Sequence, residues 1–466
     1  MDTRQSFGMR NFGNVNLGDE RRTRRLVQLV DLIVRHPGGT LPTKLNRPAD
    51  VRAFYRLMNC EEVTHKVLMD SHANETRARI AALASGTVLI LHDATELDYT
   101  SKLSLRDHLG QIGKGTNWGY ICHNSLAVRA DTDETLGLVS QILHHRPEVA
   151  DDETIKQSRE RQNRESRLWV RGVQACGPAP AGMRCVDVSD SLSDTFEYLF
   201  HEMTHYRHFV LRSREERRLE TPLAGEEYLY KGLRKLRPQC QREIEVLASH
   251  GRRGRTTKMN VAFSPVHLAP PGKQLGEYEK VPLELWAVRV WEPKSPAGEE
   301  PLEWILLTNV PVTNAADAEE RLDWYEKRPI IEEFHKGMKT GCGIETMQFE
   351  AIERLEPAIA VLSVVTTTLL RLRDAARAED GDRRLATEVI DSEYVEVLGS
   401  YYGKRLTSKP TIRNFYMHVA RLGGHQNRKA DGYPGWLTLW RGWMKLESML
   451  DGYRAAHAHR RKCGKT

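Results

Sequence analysis

The hydrophobic period of this chain changes near residue 85, and the order of elements after that change leaves few folds open. Before it, apolar residues recur at helical spacing. Leu26, Leu29, Val30 and Ile33 follow the basic run Arg21-Arg22-Thr23-Arg24-Arg25, and Pro37-Gly38-Gly39 ends the pattern. A second helix is expected from Asp50 to Met58, with Arg52 and Arg56 on its polar side, and a third to about Ala84. From Thr87 the pattern is that of buried strands. Thr87–Leu91 is the first; Ser125–Arg129 and Leu136–Ile142 follow, joined by a turn at Asp131–Glu134. A polar helix over 152–175, the strand Arg184–Val188, the helix Ser193–Met203 and the strand His208–Arg212 complete the series.

Three strands, helix, strand, helix, strand is the order of a ribonuclease-H-like mixed sheet with helices on both faces, so the expected class is α/β. The last helix of such a domain should come next, yet the next helix bearing chemistry begins at Tyr325. Between them Met259–Phe263, Leu283–Trp291 and Trp304–Thr308 have strand character, and 214–320 reads as a β-rich insertion. Beyond 350 the chain is mostly helical, over Ala358–Ala375, Thr411–Leu422 and Trp436–His457. The expected division is a helical unit at 1–84, the sheet domain with its insertion at 85–350, and a helical unit at 351–466.

Charge points to the partner. The net charge is +6, and residues 1–60 carry eleven Lys/Arg against five Asp/Glu, which equals the net of the whole chain. A basic amino-terminal unit is the footprint of a polyanion, nucleic acid before membrane. A basic loop at Gly251–Lys258 and a basic tail at Arg454–Thr466 could be solvated. The seven cysteines form no CxxC pair and read as reduced thiols, not as a disulfide framework or a zinc site. With no signal peptide and no uncharged apolar run of membrane-spanning length, a cytoplasmic protein without a membrane partner is expected.

The chemistry lies in carboxylates far apart in sequence. Asp93 ends the first expected strand, Asp190 follows the fourth, and Glu332 lies on the helix after the insertion. In a ribonuclease-H-like sheet those strands are neighbours and the last helix covers them, so the three acids would meet at one edge. Three carboxylates with no His or Cys form a hard-oxygen site suited to two Mg²⁺ ions, or Mn²⁺, which would assist an in-line displacement at phosphorus. Singly, an Asp after a strand is more often a turn or cap, and Asp187 and Asp194 lie nearby. Tyr325, Arg328, Glu332 and Lys339 would share about 60° of one helix face if their segment is a single helix. Pro329 favours a first turn and pushes Arg328 towards extended backbone. The plain alternative is a solvated helix on which Glu332 or Glu333 pairs with Lys336.

These residues resemble, almost end to end, the bacterial cut-and-paste DDE transposases of the IS-four insertion-sequence family. Leu17-Gly-Asp-Glu-Arg-Arg-Thr-Arg-Arg-Leu26 and Tyr55-Arg-Leu57 are similar to the family's end-binding helices. His92-Asp-Ala-Thr95 and Asp190–Leu199 resemble the motifs of its two catalytic aspartates, and Tyr325…Arg328…Glu332…Lys339 has the spacing of its Tyr-Arg-Glu-Lys signature. Pro329 departs from that pattern, since relatives commonly carry a large residue there. The resemblance implies that Asp93, Asp190 and Glu332 hold the metal ions. It implies that Tyr325, Arg328, Lys336, Lys339 and Arg212 meet DNA near the cleaved end, and that Trp304 stacks on a flipped base. Arg21, Arg22, Arg25 and Arg56 would contact the transposon end. The partners implied are double-stranded DNA, as terminal inverted repeats and target, and a second copy in a homodimer. Ala420–Gly424 and Trp436–Tyr453 resemble the dimer-contact helices. The implied reaction nicks the strand, resolves the end through a hairpin and joins 3′-ends to target DNA. The rivals are a catalytically silent DNA-binding inhibitor or regulator, and a structure-specific nuclease without strand transfer.

Overall fold

The computed structural model describes residues 5–83, 85–146, 152–154, 157–158, 161–246, 254–272, 281–428 and 432–463, with side chains to 457. Residues 251–253 of the basic loop and 464–466 of the basic tail lie outside the described residues.

The amino-terminal unit holds five helices where three were expected: α1 (Phe7–Phe12), α2 (Glu20–Arg35), α3 (Leu41–Leu45), α4 (Pro48–Met58) and α5 (His65–Ala81). The two extra ones are six and five residues long, too short to show a period. Asp19 caps α2 by accepting from the Arg21 N–H, and Gly18 supplies the positive φ (75°) of the turn before it. Leu26, Leu29, Val30 and Ile33 are buried, as their spacing predicts.

The strands β1 (Thr87–Asp98), β2 (Gly110–Ile112), β3 (Asn117–Arg129) and β4 (Thr135–His144) follow. Then come α6 (Leu168–Cys176), β5 (Arg184–Ser189), α7 (Phe196–Thr204) and β6 (His208–Arg212). Of the expected polar helix over 152–175, the described residues are helical at 157–158 and, after a 3-10 turn at Glu165–Arg167, over Leu168–Cys176. β1 lies between β3, antiparallel, and β5, parallel; β6 is parallel to β5, and β4 antiparallel to β3. The path β4-β3-β1-β5-β6 places the first and fourth expected strands side by side.

The insertion does not form a sheet of its own. It contributes β7 (Arg218–Leu223), β8 (Glu226–Tyr228), α8 (Leu229–Lys235), β9 (Cys240–Val246), β10 (Arg255–Leu268), β11 (Leu283–Trp291) and β12 (Glu303–Thr308). β12 returns to pair antiparallel with β6, and β11 and β10 continue outward, giving one 12-stranded mixed sheet.

After β12 come α9 (Ala315–Glu326), α10 (Pro329–Lys336), a π-turn at Gly337–Gly341 and α11 (Ile352–Arg377). The expected single helix from Tyr325 to Lys339 is therefore three pieces. Pro329 brings no N–H and starts α10 at its first position, so the ladder breaks between α9 and α10. Arg328 nevertheless stays helical (φ −49°, ψ −40°), not extended. The chain ends in α12 (Ser392–Tyr402), α13 (Ile412–Leu422) and α14 (Trp436–Cys463).

One buried cluster takes in Leu26, Ile33 and Phe54 of the amino-terminal helices, Leu89, Leu91, Val186 and Val210 of the sheet, Phe334 of α10, and Ile359 and Val365 of α11. By length and composition α11 could cross a membrane, but its apolar window is 78% buried here as a core helix. The other sheet face is covered by α6, α7 and α8, through Val173, Leu199 and Leu233 against Phe209, Leu211 and Leu307. The segments implied for dimer contacts carry internal packing: Trp436 stacks on Trp440 at 5.4 Å, and Leu446 and Leu450 are buried against α13.

Candidate active site

Strand alternation carries four of the expected site residues to one face. Leu89 and Leu91 of β1 join the cluster beneath α11, while Val88 and Ile90 point the other way. Asp93 continues the parity of Leu89 and Leu91. On β5, Val186 and Val188 share that face, and Asp190 keeps their parity just past the strand's end. The parallel register ends with His92 opposite Ser189, so Asp93 and Asp190 are the next pair along. On β6 and β12, Arg212 lies opposite Leu306, and Trp304, two residues before Leu306, lies on the same side. Asp93 is inside its strand, not at its end.

Over this edge lies α10. It is fixed from below by His335, whose Nε2 accepts from Asn124 Nδ2 at 3.1 Å, and Asn124 is the cross-strand neighbour of Asp93. Gln141 Nε2 donates to Asn124 Oδ1 (2.7 Å) and to Ser363 Oγ (2.9 Å), tying α10, β3, β4 and α11 into one network. Burial pushes His335 down to about 3, so its ring is neutral and Nε2 can accept. Glu333 turns to α11, meeting Arg373 at 2.6 Å and Arg377 at 3.7 Å, which leaves Glu332 facing the aspartates. Gly337 and Gly341 let the π-turn close on α11 and Trp436: a Cβ at Gly341 would lie 2.8 Å from Leu369 and 2.9 Å from the indole.

The charge between the carboxylates is Arg328. Its guanidinium reaches Asp93 Oδ2 at 3.2 Å and closes on Glu332 Oε1 in an i,i+4 pair. Asp93 is raised to about 6, first by burial and then by the Asp190 charge, with Arg328 opposing and Glu332 adding. Asp190 is also raised, chiefly by burial; the Leu192 N–H it caps at 3.0 Å opposes that. Three acids from distant parts of the chain thus feel one another's charge. Among the described residues no three carboxylates, imidazoles or thiols stand as a ready-made metal cluster, since Arg328 lies between Asp93 and Glu332. The donors are hard oxygens with no sulfur among them, a set that fits Mg²⁺ or Mn²⁺ once the guanidinium turns away.

The neighbouring acids are committed elsewhere. Asp187 is buried with His92 Nε2 at 2.8 Å and Arg207 at 2.8 and 2.9 Å; burial would raise it, but these partners hold it at about 2. Asp194 accepts from Ser213 Oγ, the N–H groups of Arg214 and Glu215, and Arg217.

The other expected residues divide. Tyr325, at the last turn of α9, is raised by burial, while Arg328 and Arg212 beside its phenol act against that. Trp304 is half-buried against the core. Lys336 is exposed, and among the described residues it pairs with neither Glu332 nor Glu333. Lys339 is tied down instead of facing the acids, with Nζ donating to the Glu96 carbonyl at 2.8 Å and 3.3 Å from Glu345. Its π-turn breaks the spacing that aligned it with Glu332. Sequence reasoning missed the Asn124–Gln141–His335 support, whose only trace is polar residues at inward positions of β3 and β4.

In the amino-terminal unit Arg21 keeps 84% of its side chain exposed, and Arg56 is exposed. Arg22 pairs with Glu62 at 2.7 Å and Arg25 with Asp50. All four lie in the part of the chain that has a known counterpart. Residues 4–63 match the family model described as transposase DNA-binding. The match supports a DNA-binding transposase, with DNA as partner.

Proposed function

We propose that this chain is a cut-and-paste DDE transposase with a ribonuclease-H-like catalytic core, of the IS-four kind and nearest to the transposase of the composite kanamycin-resistance transposon. It acts in the cytoplasm on nucleoid DNA, binding terminal inverted repeats, cleaving them through a hairpin and joining 3′-ends to target DNA as a homodimer. The observation that carries the reading is the meeting of Asp93, Asp190 and Glu332 around Arg328 on one sheet face. The strand path β4-β3-β1-β5-β6 supports the core assignment. Two Mg²⁺ ions held by Asp93, Asp190 and Glu332, or Mn²⁺ in their place, would activate the attacking oxygen and neutralise the leaving one.

The chain's own groups set up the rest. Arg328 neutralises Asp93 and Glu332 while no phosphate is present, and its guanidinium suits a phosphate equally well. Arg212 and Tyr325 stand beside it as further donors to the backbone near the cut. Arg21 and Arg56 face solvent for the transposon end, and Arg22 and Arg25 reach it by exchanging Glu62 and Asp50 for phosphate. Incubating the protein with its own element's end and Mg²⁺ tests this. Nicked, hairpin and joined products are expected. Specific binding without any cleavage would favour the silent regulator, and cleavage without joining the structure-specific nuclease.

A further inference from the structure

A cleft of about 1760 Å³ opens between the amino-terminal helices, α5, α11 and the carboxy-terminal helices, away from the carboxylates. Arg10 of α1, Arg79 of α5 and Arg371 of α11 all line it. Three guanidiniums gathered from distant parts of the chain repel one another. Arg371 opens its side chain to solvent in the cleft; its pKa is lowered first by partial desolvation and then by the charges of Arg10 and Arg79, with Glu134 and Asp374 opposing. Arg79 is engaged with Glu75 at 3.0 Å and the Leu136 carbonyl at 2.9 Å. Among the described residues neither Arg10 nor Arg371 has a carboxylate partner, and the buried Nε of Arg10 has no acceptor. The acids nearby are already used. Asp31 accepts from the Gly8 N–H at 2.7 Å, Glu134 lies 3.9 Å from Arg129, and Asp374 accepts from Arg373 and from the Thr135 N–H. Positive charge therefore gathers locally at Arg10, Arg79 and Arg371, although Asp50, Asp380, Glu388 and Asp391 also line the cleft, and an external anion would stabilise that local cluster.

We propose that this cleft binds a phosphate of the DNA backbone, gripped by Arg10 and Arg371 with Arg79 behind them. The proposal rests on the DNA-binding reading but not on cleavage. A phosphodiester chain fits better than a free ion, because the cleft is far larger than one phosphate. Arg10 also lies within the stretch that matches a transposase DNA-binding domain. Guanidinium forks grip phosphate without reading sequence, so the contact adds affinity and register.

The test uses the full chain, Arg10→Gln/Arg371→Gln, and Arg10→Lys/Arg371→Lys, each titrated with a random-sequence 30-base-pair duplex over a range of salt. Each phosphate neutralised contributes about 0.9 to the slope of log K against log salt, so the Gln pair, which gives up this one phosphate, should lower that slope by about 0.9. The Lys pair, which keeps both charges, should retain most of it. A second arm follows melting temperature with added inorganic phosphate. If phosphate stabilises the wild type but not the Gln pair while the DNA slope is unchanged, the cleft takes a free anion and the backbone assignment is overturned. If neither readout changes, the cluster binds no anion. If the Gln and Lys pairs lose slope equally, the arginines act through folding, and the proposal also fails. A protein unable to cut DNA would still report the slope, so this result is separable from that of the cleavage assay.

Discussion

Glu332 and Glu333 are adjacent acids with opposite assignments, and substituting each separates chemistry from packing. Glu332→Gln should lower Mg²⁺-dependent nicking at least a hundredfold and leave the melting temperature unchanged, because its partner Arg328 keeps Asp93. Glu333→Gln should leave nicking within a few-fold but destabilise the protein by about 2 kcal/mol, since it strips the buried Arg373 of a carboxylate. Gel assays of nicking beside thermal melts check both; a nicking defect confined to Glu333→Gln would move the metal ligand by one residue. Trp304→Ala should nick normally yet form hairpins about tenfold more slowly, the scale of a lost base–aromatic stack. Equal slowing of both steps would make Trp304 a core residue only. At this scale the aspartates were legible, because Asp93 and Asp190 extend the inward parity of Leu89, Leu91, Val186 and Val188. Lys339 was not legible. A π-turn adds a residue per turn, and nothing in Gly337-Met338-Lys339 announces one.

The helices and strands were easier to read than their partners. β11 spans Leu283–Trp291 as its alternation predicts, and the strands of the core keep their expected order. That β12 would pair with β6 was not visible, because an edge's hydrogen-bonding groups leave no mark in side-chain pattern. Nor was α12, which follows a 3-10 turn and whose buried residues, Tyr394, Val395, Val397 and Leu398, are confined to little more than one turn. The long α14 carries a pH dependence of its own. Glu447 is buried and raised to about 7, mainly by burial, although Trp443 Nε1 donates to it at 3.0 Å. Its folded carboxyl holds a proton more tightly than the unfolded one. The associated stability is therefore full below pH 4.5, falls as pH rises, and is gone above about 7. The difference between wild type and Glu447→Gln in unfolding free energy, from urea titrations, should swing by up to about 3 kcal/mol between pH 5 and 8. A pH-independent difference would mean that Glu447 titrates like a surface acid.

Taken whole, one buried cluster crosses the boundaries expected near residues 85 and 350, since Leu26, Leu91 and Val365 all belong to it. Deleting residues 1–63 should leave a protein that melts without a cooperative transition, because α11 would lose the cover of α2 and α4. Calorimetry of the full chain beside the truncation checks this; a truncated chain with a sharp melt would show that the sheet domain stands alone. Loss of end binding on truncation therefore cannot single out the arginines. Arg21→Ala/Arg56→Ala can, and should weaken specific binding about tenfold with an unchanged melt. The shared cluster also sets a clock on the ribosome. The amino-terminal helices emerge first, but the helix that covers them begins at Ile352, roughly 270 residues after α5 ends. At about 5–20 residues per second that is roughly 15–55 seconds with the apolar faces of α2 and α4 uncovered. Each new chain thus passes through an interval in which its basic helices are already made and can pack only on one another, without the cover of α11.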